Sequence, residues 1–178
     1  MASHEIIKSL VEKLSKRIED ERDKGEEGDE EWTKASIILP LIEGLGWDIA
    51  TDVGYEKKSD DVEGRLDFIL KSKPSIGIEA KGLNMPPPQD LGHPQIMKGM
   101  RQSKERGASY FIWTNGDCWQ FFSLALNNAP LYQVTLSSAH GDIPDKLRII
   151  EKKPFTDNPE IFDEAIRNNW KTRALSEG

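Results

Sequence analysis

Apolar residues recur at helical spacing near the start of the chain. Ile6, Ile7, Leu10, Val11, Leu14 and Ile18 form one stripe over residues 4–22. That stripe predicts an amphipathic helix buried against the domain or against a second subunit. A charged break, GEEGDE (25–30), follows, and Asp29 is placed to N-cap a second helix. The second helix carries Ile37, Ile38, Leu41, Ile42 and Leu45 and is expected to stop at Gly44 or Gly46. Pro40 inside it predicts a kink or a break, because proline removes one N–H from the helical ladder.

From Trp47 the period shortens to that of strands. WDIATDVGYE is the first candidate strand. GRLDFILK (64–71) puts Leu66, Phe68 and Leu70 on one face and Arg65, Asp67 and Ile69 on the other. SKPS (72–75) is a turn, and SIGIEAKG then alternates Ile76, Ile78 and Ala80 against Gly77, Glu79 and Lys81. Three consecutive prolines make NMPPPQD (84–90) a loop. Residues 91–106 read as a basic helix. Asn115-Gly116 marks a hairpin between ASYFIWT (108–114) and CWQFFSL (118–124). LYQVTLS (131–137) is a further strand, and residues 159–173 read as a closing helix. The order implies a mixed α/β sheet with helices on both faces.

A turn centred on Lys73 makes cross-strand partners sum to 146. Phe68 then faces Ile78, Leu70 faces Ile76, and Leu66 faces Ala80, all apolar and on one face. The same register sets Asp67 opposite Glu79, with Arg65 opposite Lys81. Two opposed carboxylates about 4.5–5.5 Å apart are destabilising unless something offsets them. A divalent cation would do so, and Lys81 on the same face would orient the attacking water or stabilise charge on a phosphate. The competing reading is a solvated strand face on which Arg65 and Lys81 neutralise the carboxylates.

Composition narrows the class. The 178 residues are 37% hydrophobic and 31% charged, the balance of a folded domain. The N-terminus has no apolar core of a signal sequence, and the single Cys118 allows no intrachain disulfide, so a cytoplasmic protein without membrane contact is expected. The net charge of −7 disfavours nucleic acid, but −5 of it lies within residues 1–31. Within 91–106, Lys98, Arg101, Lys104 and Arg106 face only Glu105.

Together these stretches resemble the PD-(D/E)XK nuclease superfamily, and more narrowly the N-terminal nuclease domain of type I restriction enzyme motor subunits. EEWTKASIILPLIEGLGWD (30–48) resembles the helix that opens that domain, GRLDFIL and IEAKG resemble its catalytic strands, and YFIWTNGDCWQFF (110–122) its late hairpin. The resemblance covers roughly residues 30–135. It implies a restriction-endonuclease-like fold: an N-terminal helical arm and linker (1–28), a nuclease-like core (29–140) and a C-terminal extension with a helix (141–178).

The resemblance also implies a Mg²⁺- or Mn²⁺-dependent DNA endonuclease. Asp67, Glu79 and the Ala80 carbonyl would be metal ligands and Lys81 the catalytic lysine. Glu30, or Glu31 beside it, would point into the site from the opening helix. Gln95 would contact DNA or position the lysine, with Lys98, Arg101 and Lys104 on the same helix contacting DNA. Three departures stand out. Leu66 replaces the proline before Asp67, Gly99 stands where a tyrosine often follows the glutamine, and no G-x-x-x-x-G-K-[ST] motor loop is present. A motor or specificity protein would therefore be a partner, and the helices at 4–22 and 159–173 could build a homodimer. The alternative to an enzyme is a non-catalytic nuclease-fold module that binds DNA or protein.

Three further groups have plainer readings. The scattered His4, His93 and His140 suggest no zinc site. Cys118 reads as a small core residue, and so do the hairpin aromatics.

Overall fold

A computed structural model describes residues 4–25, 28–55, 66–126, 132–138 and 141–176, with side chains to Asn169. Arg65 and His140 fall outside the described residues. The fold is mixed α/β, built on an open six-stranded sheet in sequential order. The strands are β1 (Val53–Tyr55), β2 (Phe68–Leu70), β3 (Ile76–Ala80), β4 (Tyr110–Thr114), β5 (Cys118–Ser123) and β6 (Tyr132–Thr135). Every neighbouring pair is antiparallel except β3 and β4, which are parallel and joined through helix α4 (Pro94–Glu105). No helix among the described residues is long and apolar enough to cross a membrane.

Strand alternation splits the core between two faces. Phe68, Leu70, Ile76, Ile78, Tyr110, Ile112, Trp119 and Phe121 share one cluster with residues of α1 (His4–Asp23), α3 (Leu39–Gly44) and the C-terminal helices. Phe111, Trp113, Cys118 and Phe122 form the other with Ile96 of α4. The hairpin aromatics and Cys118 are thus core, and burial beside Asp117 pushes the Cys118 thiol up to about 12. The stripe Ile7, Val11, Leu14 and Ile18 of α1 is spent on this chain's own core, and only Ile6 is left exposed. The larger cluster draws on residues from Ile7 to Ile166, so the N-terminal and C-terminal helices share it with the sheet.

The proline in the second helix is absorbed by a change of pitch. Helix α2 (Glu30–Thr33), N-capped by the Asp29 carboxylate on the Trp32 N–H at 2.7 Å, passes into a π-helical turn, Lys34–Ile38, and then into α3 with Pro40 in its first turn. Pro40 has no N–H to offer the Ser36 carbonyl. Arg17 of α1 donates to that carbonyl instead, at 2.7 Å. Arg17→Ala is expected to lower stability by about 1.5–3 kcal/mol, the range for a charged hydrogen bond, measurable as a lower urea midpoint at unchanged m-value.

Three expectations about elements are corrected. WDIATDVGYE is a strand only over β1, because Asp48 folds the segment into a turn: its Oδ1 accepts from the N–H of Ala50 and Thr51, and its own N–H bonds Asp52. The C-terminal region holds more helix than one closing segment: α5 (Ile143–Leu147), a 3-10 turn (Arg148–Ile150) and α6 (Lys152–Asp157) precede α7 (Glu160–Ser176). Leu66 does not join Phe68 and Leu70. It lies in the α4-side cluster.

Candidate functional site

The register of β2 and β3 carries the site. Phe68 pairs with Ile78, Ile69 with Gly77 and Leu70 with Ile76, the pairing that places partners at a sum of 146. One step further the ladder changes. The Asp67 N–H bonds the Ile78 carbonyl at 3.0 Å, although Ile78 is already the partner of Phe68. Two residues therefore oppose one, a bulge that turns Leu66 to the other face, so Leu66 does not face Ala80 and Asp67 does not stand directly opposite Glu79. Asp67 Oδ2 then accepts the Ala80 N–H at 2.8 Å, replacing a backbone carbonyl.

Glu79 on β3 and Lys81 just past its end follow Gly77 on the side facing α4. Lys81 Nζ lies 2.5 Å from Glu79 Oε1 and 3.7 Å from Glu30 Oε2. Glu30 comes from α2, which is tied to the end of β3 by the Leu83 N–H donating to the Gly28 carbonyl at 2.9 Å. Glu31 is 85% exposed and reaches only Lys34, so the geometry favours Glu30. The folded chain thus gathers Glu30, Asp67, Glu79 and Lys81 into one network.

Sequence reasoning missed Lys34. Its ammonium sits 2.7 Å from Glu30 Oε1, 2.6 Å from Asp67 Oδ1 and 3.2 Å from Glu31 Oε1, and its side chain is only 14% exposed. The spacing of Glu30 and Glu31, four and three residues before it, was the available signal. The long-range contact to Asp67 has no local signature.

Charge in this network is uneven. Burial would lower the Lys34 pKa, but the hydrogen bonds to Asp67 and Glu30 outweigh it and the net shift is upward. Lys81 follows the same pattern: burial lowers its pKa, the Glu79 hydrogen bond overcomes this, and the net shift is upward. Burial raises the Glu79 pKa; the Lys81 ammonium opposes this, while the nearby Asp67 and Glu30 charges add to it. Among the described residues, Glu79 Oε2 is buried with no hydrogen-bond partner. Four carboxylates share two ammonium groups, an excess of two negative charges among the described residues.

An orphaned carboxylate oxygen beside this excess suits a divalent cation. Among the described residues no group of three His, Cys, Asp or Glu side chains is set to enclose a metal. A cation here would rest on Asp67 and Glu79 with backbone oxygen and water, the mixed shell that Mg²⁺ accepts.

The Glu79 shift has a consequence for stability. A carboxylate whose folded pKa is raised contributes stability that is complete below its unfolded pKa and is lost as pH rises through the folded value. Without added cation, Glu79→Gln is therefore expected to gain on the parent between pH 4 and pH 7, by about 1 kcal/mol, the scale of a modest upward shift. The gain should vanish toward pH 4. Thermal melts across this range check it.

Gln95 stands at the N-terminus of α4, where the His93 ring caps the Gln95 N–H at 3.3 Å. Its Oε1 accepts from Trp113 Nε1 at 3.2 Å, and Trp113 is the β4 partner of Glu79. Gln95 is thus placed next to the site but bonds neither Lys81 nor a carboxylate. Lys98, Arg101 and Lys104 are exposed along α4, and among the described residues only Arg101 of these has an acidic neighbour, Glu105 at 4.0 Å. The proline loop is pinned across this side. Asn115 donates to the carbonyls of Leu83 and Met85, and Gln120 to that of Pro88.

No protein-family model, curated protein or solved structure matches this chain.

Proposed function

We propose that this chain is a metal-dependent DNA endonuclease domain of the PD-(D/E)XK type, with a restriction-endonuclease-like core similar to the nuclease domain of type I restriction motor subunits. One observation carries the reading. Glu30, Asp67, Glu79 and Lys81, spread over 52 positions of sequence, meet at the end of β3 in one ion-paired network that Asp67 enters through Lys34.

Asp67 and Glu79 would hold Mg²⁺ or Mn²⁺, with the Ala80 carbonyl as the third protein oxygen by resemblance. When bound, such an ion polarises a phosphate and lowers the pKa of water. The protein's own groups do the rest. Lys81, kept as an ammonium by Glu79, offers positive charge to a phosphate in transition. Glu30 holds Lys81 from the helix side. The exposed Lys98, Arg101 and Lys104 on α4 would bind backbone phosphates without reading sequence. Hydrolysis of this kind leaves a 5′-phosphate and a 3′-hydroxyl.

A second reading has its own support. The lysines already neutralise much of the carboxylate charge, an arrangement that suits a non-catalytic DNA-binding or protein-interaction module. Plasmid nicking and linearisation with Mg²⁺ or Mn²⁺ against chelator separates the two. Metal-dependent cleavage supports the enzyme. Absence of cleavage by the pure chain transfers the case to the module, or to an enzyme that needs a motor or specificity partner.

A further inference from the structure

We propose that Lys34 is a built-in competitor of the divalent cation, holding Asp67 in the metal-free protein and giving it up when metal binds. The inference rests on the metal-dependent reading above.

The two oxygens of Asp67 are used differently. Oδ2 is committed to the Ala80 N–H at 2.8 Å, inside the sheet. Oδ1 carries the Lys34 ammonium, at 2.6 Å. A divalent ion approaching the same atom meets a fixed positive charge at contact distance in a poorly solvated setting, where like charges repel strongly. Both cannot be held there at full strength.

Lys34 has somewhere to go. Glu30 Oε1 at 2.7 Å and Glu31 Oε1 at 3.2 Å lie on its own helical turn, so it can release Asp67 and remain ion-paired. An ammonium displaced from Asp67 but still tethered at the rim is placed to meet the phosphate of an incoming strand. Lys81 does not play this part. It is bound to Glu79 Oε1, and the second oxygen of Glu79 is the one without a partner. The cation can therefore gain Glu79 without disturbing Lys81, but cannot gain Asp67 Oδ1 without disturbing Lys34.

The test is Mn²⁺ binding to the full chain by calorimetry, with no DNA present. Lys34→Gln is expected to tighten binding roughly tenfold, a small part of the repulsion between like charges at contact distance, and adding Asp67→Asn should abolish the gain. A second readout uses ¹⁵N-lysine-labelled protein titrated with Mg²⁺. The Nζ resonance of Lys34, assigned by its loss in Lys34→Gln, should move in step with metal occupancy. If the parent binds Mn²⁺ and Lys34→Gln binds no more tightly, or if the Lys34 resonance stays still while metal binds, the competitor role is overturned and the metal site stands. If neither protein binds Mn²⁺ at tens of millimolar, the metal-dependent reading falls and this inference falls with it.

Discussion

Lys81→Ala is expected to reduce metal-dependent plasmid cleavage by about 10²–10³-fold, the usual loss when one preorganised donor to a developing oxyanion is removed. Lys81 is only 18% exposed and lies between Glu79 and Glu30. Its hydrogen bond to Glu79 overcomes the effect of burial and raises its pKa, so it remains an ammonium at neutral pH. An ammonium cannot take a proton from water. Its contribution is therefore charge, and Lys81→Arg should keep part of the activity. A neutral general base would leave arginine as inactive as alanine. The alanine variant also strands Glu79, whose second oxygen already lacks a partner. A stability loss of about 1–3 kcal/mol is expected, limited because Glu79 can take up a proton. Cleavage is therefore compared at a temperature where melting curves show both proteins folded. Wild-type rates from Lys81→Ala would end the proposed mechanism.

The parts of this site that were legible in sequence are those set by apolar pairing. Phe68 with Ile78 and Leu70 with Ile76 fix the β2–β3 register, and that register brings Asp67 to the strand bearing Glu79. Alternation failed one residue later. It assigned Leu66 to the wrong face, because a bulge depends on where the Asp67 side chain finds a donor, and that donor belongs to the other strand. Asp48 misled in a similar way: a side chain bonding its own neighbouring N–H groups ends a strand without altering the apolar pattern. The short helices α5 and α6 span 5 and 6 residues, too few to display a period. Lys34 escaped because its decisive partner is 33 positions away and charged.

Gly99 explains a departure that sequence could only note, and it yields the second large effect. Gly99→Tyr is expected to abolish folding, and Gly99→Ala to cost about 1–3 kcal/mol, the range for overpacking a filled core. A Cβ on Gly99 would stand 2.5 Å from Cε2 and 2.9 Å from Cε1 of Phe111, and nearer still to Cζ. Phe111 cannot yield, being fully buried and stacked on Phe122 with ring centroids 5.5 Å apart. Nor can the helix simply lift. A second close contact, Gly77 of β3 against Ser103 of α4, fixes it further along. The space that a tyrosine would need is filled by the Phe111 ring, so the glycine and the phenylalanine form a matched pair. Phe111→Ala should therefore partly rescue Gly99→Ala, making the double variant more stable than the sum of the two losses predicts. Urea midpoints of the four proteins measure the coupling. Strict additivity, or Gly99→Ala within about 0.5 kcal/mol of the parent, would mean that α4 is free to move. A mobile α4 would also loosen the hydrogen bond by which Gln95 is held at Trp113 beside Glu79.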